Sequence, residues 1–257
     1  MRKNIIFLLV LTISFIACKK NVVQYGDYEI FDASKSLLKI NYTSAYRNNA
    51  PVRFRLNDKP ISGLVTARYP YPGGGYNTSG LSTPDYLQVD PGAYKFTASV
   101  PQINDNTIDS LLRYTTNLTF ETGKKYSLHI ADTAENMKHL LLEDDFTMPD
   151  TATSRYRVVN LMPDVSAIDV YCGTLLVAEN IKYLTASNYF NLHTSEGTAV
   201  WSLRETGTGA TGKVLATYNS SNTRLIRRSY TAFAMGYKSI TSTSDVRRPF
   251  ISFYLVR

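Results

Sequence analysis

Polar and apolar residues alternate along most of this chain, and the alternation predicts short strands. In "VRFRLND", Val52, Phe54 and Leu56 alternate with Arg53 and Arg55, and Asn57 and Asp58 then supply a turn. A side-chain period of two puts the apolar set on one face, which is the pattern of a half-buried strand. In "YLQVDPGAYKFTASV", Leu87 and Val89 precede Asp90-Pro91-Gly92, after which Tyr94, Phe96, Ala98 and Val100 alternate with Lys95, Thr97 and Ser99. This reads as a hairpin. Leu118 and Phe120, the turn "ETGKK", and Tyr126, Leu128 and Ile130 repeat the same grammar. Helical periodicity is scarce: "IDSLLRYTT", from Ile108, and the stretch from Ala134 to Leu140 allow about one turn each, too little to pack as a layer.

The second half spells these units again. In "YFNLHTSEGTAVWSL", Gly197, Trp201 and Leu203 correspond to Gly92, Phe96 and Ala98 at an offset of 105, and Tyr230 in "RSYTAFA" corresponds to Tyr126 at an offset of 104. Upstream, Ile168, Val170 and Cys172 match Val52, Phe54 and Leu56 at an offset of 116, so the first copy carries about 11 extra residues between these strands. About seven short strands per copy of roughly 100 residues suit an immunoglobulin-like sandwich. The expected fold is all-β, two tandem antiparallel β-sandwich domains at 35–150 and 151–257. The acidic, Pro- and Ser/Thr-containing stretch "LEDDFTMPDTATS" reads as the junction between them.

The amino terminus has a different pattern. Arg2 and Lys3 precede "IIFLLVLTISFIA", Ile5 to Ala17, which is too short for a bilayer span of about 20 residues and has the anatomy of a secretory signal. Phe15, Ile16, Ala17 and Cys18 resemble a bacterial lipobox, with Phe15 in place of the usual leucine. The resemblance implies a signal peptide at 1–17, cleavage before Cys18 and acylation there, with 18–34 as anchor and tether. One acyl chain binds a membrane only reversibly, so the several chains of a triacylated cysteine are what make an anchor stable. Lys19 lacks the aspartate associated with inner-membrane retention, which favours the outer membrane, and leaves open whether the protein faces periplasm or cell surface.

Composition adds two constraints. The chain has two cysteines, so once Cys18 is an attachment point only Cys172 is left in the fold and no disulfide framework exists. The formal charge of +7 is uneven: Asn21 to Asp150 hold 12 basic and 15 acidic residues, net −3, and Thr151 to Arg257 hold 12 basic and 6 acidic, net +6. In an exported chain without aromatic and basic RNA-binding motifs, the basic half points to an anionic envelope surface or acidic partner, not to nucleic acid.

With the strands placed, "LLLEDDFTMPDTATSRYRVVNLMPDVSAIDVYCG" resembles the junction and opening strands of envelope lipoproteins carrying the domain of unknown function DUF4397, whose repeats begin with "RVVNLSPD" and "VDVYVDG" patterns. The match is good over Arg157 to Gly173, with Leu37 to Asp58 as a divergent first copy. Met162 stands where the family has serine, and Cys172 and Gly173 replace a Val-Asp-Gly turn, which implies a reshaped hairpin after Cys172. The resemblance implies tandem β-sandwiches in a bacterial envelope, commonly of Bacteroidota-type organisms, and offers no active site to carry over.

Candidate chemistry is sparse. His129, His139 and His193 have no ligand spacing, so no metal and no cofactor is expected, and the alternation around His129 and His193 places both on solvent-facing sheet surfaces. Glu143, Asp144 and Asp145 could serve glycoside hydrolysis as paired carboxylates. Neighbours in an extended chain point to opposite faces, however, and a solvated linker is the expectation. Asn104 to Asp109 lacks the glycine and glutamate of an EF-hand loop. Cys172 alternates with Ile168 and Val170, as a buried thiol would, and Trp201 takes the core position of Phe96. No nucleophile elbow, zinc helix or phosphate loop is present.

Two surfaces remain as binding candidates. The extra residues of the first copy fall at "RYPYPGGGYNTSG", where Tyr69, Tyr71 and Tyr76 flank three glycines and could stack on a sugar or peptide. A basic edge of Arg224, Arg227 and Arg228, joined by Arg247 and Arg248, could meet acidic polysaccharide or lipid headgroups, or guard a strand edge. The reading is a lipid-anchored, non-catalytic binding or structural module. Its membrane contact is acylated Cys18, and its further partner is a glycan or another envelope protein. The alternatives are an accessory subunit of an outer-membrane glycan uptake complex and, further off, a polysaccharide-active enzyme.

Overall fold

Val52, Phe54 and Leu56 are buried while Arg53 and Arg55 are half-exposed between them, as the pleat requires. The computed structural model, which describes residues 32–44, 50–67, 86–102, 105–133 and 135–256, is built on this alternation. Its first eight strands are β1 (Ser36–Tyr42), β2 (Arg53–Leu56), β3 (Lys59–Pro60), β4 (Leu87–Val89), β5 (Gly92–Gln102), β6 (Asp105–Phe120), β7 (Lys125–Ala131) and β8 (Lys138–Glu143). They form two sheets, ordered β4-β1-β7-β8 and β3-β2-β5-β6. Leu38, Ile40, Phe54, Leu56, Phe96, Ala98, Phe120, Leu128 and Ile130 fill the space between them.

The next nine strands are β9 (Thr153–Asn160), β10 (Ala167–Cys172), β11 (Leu175–Lys182), β12 (Thr185–Ala186), β13 (Phe190–His193), β14 (Val200–Glu205), β15 (Val214–Asn219), β16 (Ser229–Met235) and β17 (Phe250–Leu255). Their sheets, β12-β9-β16-β17 with β13 also on β9, and β11-β10-β14-β15, enclose Tyr156, Val158, Ile168, Val170, Cys172, Trp201, Leu203, Ala232 and Phe253.

The wiring repeats in register. Phe54 lies opposite Ala98 and Leu56 opposite Phe96, while Val170 lies opposite Leu203 and Cys172 opposite Trp201. Two offsets read separately from the sequence therefore meet on one ladder. In each copy a parallel pair joins strands far apart in the chain, β1 with β7 and β9 with β16, and Tyr126 and Tyr230 hold equivalent places in it.

Five local expectations are corrected. Leu87–Val89 and Gly92–Gln102 do not form a hairpin: β4 pairs with β1, whereas β5 pairs with β2 and β6, so the "DPG" turn crosses from one sheet to the other. The same holds at "ETGKK" and between β13 and β14. Alternation marks a strand and its inward face but is silent about its neighbour. Ile108 to Thr116 is not helical, because it lies inside β6 along β5, and Lys138 to Leu140 belongs to β8 along β7. Ladder pairing outweighs a weak local preference.

The two sandwiches are not beads on a linker; Ala33–Arg257 is one compact unit. On β7, Tyr126, Leu128 and Ile130 face the first core, while Ala131 joins a third cluster with Val159, Leu161, Phe233, Met235, Phe250 and Tyr254, packed by Leu140, Leu142 and Phe146. The sheet containing β7 thus lies face to face on the sheet containing β16, which is why β1, β7 and β16 are buried along nearly their whole length. The two sheets are aligned. At one end Asp145 meets Arg155 at 2.5 Å; at the other, the Tyr237 hydroxyl donates to Asp132 at 2.8 Å. β1 and β9 consequently start at the same end.

Candidate functional site

The densest chemistry lies between the sandwiches. Lys39 of β1, Ser127 and His129 of β7, and Arg157 of β9 sit at the positions of their strands that point away from the apolar cores. Asp144 follows β8 and extends its ladder, its N–H donating to the Lys125 carbonyl at 2.7 Å. Its carboxylate, with 0 % side-chain exposure, takes Arg157 Nη2 on Oδ1 at 2.5 Å. On Oδ2 it accepts from the Ser127 hydroxyl at 2.5 Å and the Tyr86 hydroxyl at 2.8 Å. Arg157 Nη1 donates to the Glu143 carbonyl at 2.8 Å, and its guanidinium lies 4.8 Å from the Tyr189 ring centre.

Lys39 is second in line for the one carboxylate. Its Nζ is 4.0 Å from Asp144 Oδ2, donates to the Tyr86 hydroxyl at 3.2 Å and lies 3.7 Å from the Tyr254 ring centre. Burial, offset in part by Asp144 and reinforced by Arg157, lowers its pKa to about 7. Burial and Asp144 push the Tyr86 hydroxyl far up. His129 accepts on Nδ1 from the Asn41 amide at 3.0 Å, which leaves Nε2 to donate to the Tyr254 hydroxyl at 3.1 Å. Burial, with Arg157 and Lys39 nearby, holds it neutral, well below the usual imidazole range. Each carboxylate oxygen of Asp144 is already engaged by protein donors, and the Lys39, Asp144 and Arg157 side chains are buried. The cluster ties strands of the two sandwiches together.

Two sequence expectations fail here. Asp144 is not part of a solvated linker, and His129 does not face solvent; the polar face of each strand is covered by the other sandwich. The signal for this cover was in "SYTAFAM", where Phe233 and Met235 occupy the face opposite Tyr230, Ala232 and Ala234. A strand apolar on both faces is buried on both.

Beside the joint, an open groove of about 480 Å³ is lined by Lys124, Lys125, Glu143, Asp144, Asp145, Phe146 and Thr147. Its cations are engaged: Lys124 pairs with Glu143 at 2.6 Å, and Lys125 lies over the Phe146 ring at 3.5 Å.

Cys18, Tyr69, Tyr71 and Tyr76 lie outside the described residues. The basic edge is divided. Arg224 is a brace, its Nη2 donating to the carbonyls of His193, at 2.9 Å, and Glu196, with Nη1 3.7 Å from Cys172 Sγ. Arg227 and Arg228 are exposed. Arg247 is engaged by Asp245, and Arg248 lies over Phe250. These last two do not join the others, because they precede the end of β17 that pairs with Met235, whereas Arg228 adjoins Ser229 at the opposite end of β16. His193 is exposed and bonded to Ser195, and His139 meets Tyr114. Among the described residues no group of three or more His, Cys, Asp or Glu could hold a metal ion. Cys172 is buried, and its thiol donates to the Thr198 carbonyl at 3.0 Å. Trp201 is sealed in the core, its Nε1 donating to Thr223 at 3.0 Å. Asp105 to Asp109 runs as strand rather than as a calcium loop.

The sequence profile of DUF4397, a domain of unknown function, matches the chain twice, over residues 76–171 and 154–247. The first span crosses from one sandwich into the opening strands of the next. No curated protein matches the sequence. Among solved structures, a streptococcal virulence factor that binds alpha-glucan is 12% identical, with 84% of this chain and 97% of that one covered and a TM-score of 0.24. The fimbrial anchor protein Mfa2 from Porphyromonas gingivalis is 11% identical, with 86% and 97% covered and a TM-score of 0.22. At such scores neither likeness carries a functional argument.

Proposed function

The chain belongs to the DUF4397 family, and from that premise we propose that it is a lipid-anchored, non-catalytic binding or structural module of the bacterial cell envelope. The observation that carries this reading is the sealed joint of Lys39, Asp144 and Arg157. The strongest acidic cluster of the chain, the natural candidate for hydrolytic chemistry, is taken up in joining two sandwiches into one compact unit. A double sandwich of this kind suits holding or presenting a surface at a membrane. In this reading Cys18 is acylated, 18–34 is the tether, the outer membrane is the site of attachment, and Tyr69, Tyr71 and Tyr76 contact a glycan or an envelope protein.

Mass spectrometry of the mature amino terminus tests the anchor: a triacylated Cys18 is expected, and an unmodified cysteine or cleavage elsewhere overturns it. Protease shaving of intact cells assigns the face. A glycan array and a pulldown with the purified protein test binding. A specific ligand lost in the Tyr69, Tyr71 and Tyr76 triple alanine variant is expected. Binding unchanged by that variant removes the loop, and hydrolysis products would overturn the non-catalytic reading.

A further inference from the structure

The connection from β15 to β16 contains a one-turn 3-10 helix, Ser221–Arg224, and is held to the framework at several points. The Tyr156 hydroxyl donates to the Thr223 carbonyl at 2.6 Å, the Tyr230 hydroxyl to Asn222 at 2.7 Å and the Ser154 hydroxyl to Leu225 at 2.9 Å. The Arg227 N–H donates to the Thr153 carbonyl at 2.7 Å. A segment fixed this firmly still turns two large apolar side chains to solvent, Leu225 at 51% exposure and Ile226 at 47%. Exposed Arg227 and Arg228 follow them, and Arg227 reaches across to the sulfur of exposed Met148 at 2.9 Å. Most nearby acids are engaged within the protein: Asp145 with Arg155, Glu143 with Lys124, and Glu196 with the His193 N–H. Asp150, whose carbonyl accepts from the Thr153 N–H, is exposed, so the patch is apolar at its tip and carries two arginines against one carboxylate at its side.

Its place in the fold narrows the partner. β16 runs parallel to β9, so this connection lies at the end where β9 begins. The ion pair of Asp145 with Arg155 puts the start of β1 at that same end, where the chain enters the first sandwich. Between Cys18 and Ala33 the chain can span at most on the order of 50 Å. An acyl anchor at Cys18 therefore keeps this end of the stack within about 50 Å of a membrane.

We propose that the Leu225–Ile226 tip docks on the anionic surface of a lipid bilayer, the two apolar side chains entering the headgroup layer while Arg227 and Arg228 meet lipid phosphates. Apolar insertion beside cationic headgroup contact is the chemistry of an interfacial anchor. The orientation rests on the lipid anchoring proposed above; the chemistry of the patch does not.

The test uses the chain from residue 18 onward carrying Cys18→Ser, so that it depends neither on acylation nor on the apolar Ile5–Ala17 stretch. An environment-sensitive fluorophore is attached through Ile226→Cys, or through Ser242→Cys, in the loop between β16 and β17 at the opposite end of β16, and the protein is mixed with phosphatidylcholine vesicles with and without phosphatidylglycerol. The expected result is a blue shift and protection from aqueous quenchers at position 226 but not at 242, only with phosphatidylglycerol. Arg227→Gln with Arg228→Gln should weaken this binding about 30-fold, at roughly a factor of five per arginine. A probe at 226 that stays in water on protein-bearing vesicles overturns the proposal, as does equal shielding on neutral vesicles or shielding by a second copy without lipid. An unacylated Cys18 in the mature protein would sink the anchor alone and leave this result standing.

Discussion

Replacing Asp144 by asparagine tests the joint between the sandwiches with almost no change in volume. The side chain has 0 % exposure and sits between Arg157, at 2.5 Å, and Lys39, at 4.0 Å. Removing one partner of a buried ion pair costs about 3–5 kcal/mol, because the charge left behind is neither hydrated nor paired. The two cations respond differently. Lys39, lowered by burial to about 7, is already largely neutral at pH 7.5 and adds little to the cost. Arg157 keeps its charge, but it retains the Glu143 carbonyl and the Tyr189 ring. These contacts place the expected cost at the low end, about 3 kcal/mol. For a chain of this size that is roughly 6–12 °C in melting temperature. Urea and thermal unfolding at pH 7.5 measure the loss, with Lys238→Ala as the control; its pair with Glu205 is 41%/36% exposed and should cost under about 1 kcal/mol. Hydrogen exchange should localise the loosening to β1, β7 and β9. A double-mutant cycle with Arg157→Gln should return a coupling above about 1 kcal/mol. If Asp144→Asn costs no more than the surface control, and protection of those strands is unchanged, the argument for a sealed joint is wrong.

Other outcomes follow from the same geometry. The Lys39 pKa is lowered in the fold, so between about pH 7 and pH 10 the unfolded chain binds more protons and stability rises with pH; Lys39→Met should flatten that rise in urea titrations at stepped pH. Trp201, fully buried between Tyr156 and Phe253 with ring centres 5.0 Å away on each side, should cost about 3–5 kcal/mol as Trp201→Ala by circular dichroism melts. Gly236 has φ +88°, and a Cβ there would strike the Arg248 carbonyl, so Gly236→Ala should lose about 2–3 kcal/mol, and a neutral result would show the turn relaxes. Burial raises the Cys172 thiol, so it should resist alkylation until the protein unfolds, and rapid native labelling would place it outside the core.

Much of each sandwich was legible because its signals are local or duplicated. Val52 to Leu56 and Tyr94 to Val100 show their inward faces through a period of two, and the paired offsets of Phe54 with Val170 and Phe96 with Trp201 reproduce a true ladder. What local pattern lacks is the identity of the neighbour. The "DPG" turn connects two strands whether they share a sheet or belong to opposite ones, and here they belong to opposite ones. The joint was illegible for a related reason. Ser127, His129 and Lys39 look like the solvent face of half-buried strands, and Asp144 looks like linker, when each is considered with its sequence neighbours alone.

The sequence by itself therefore determined where the strongly alternating strands lie, which side of each faces its core, and that the unit occurs twice, since side-chain period and repeat register are written residue by residue. Only the tertiary structure decided which strands pair and that the polar face of one sandwich is covered by the other. Lys39, Asp144 and Arg157 stand up to 118 positions apart in the chain. Whether such groups are hydrated surface charges or a sealed ionic joint depends on what packs over them in space, and that is set by the fold as a whole.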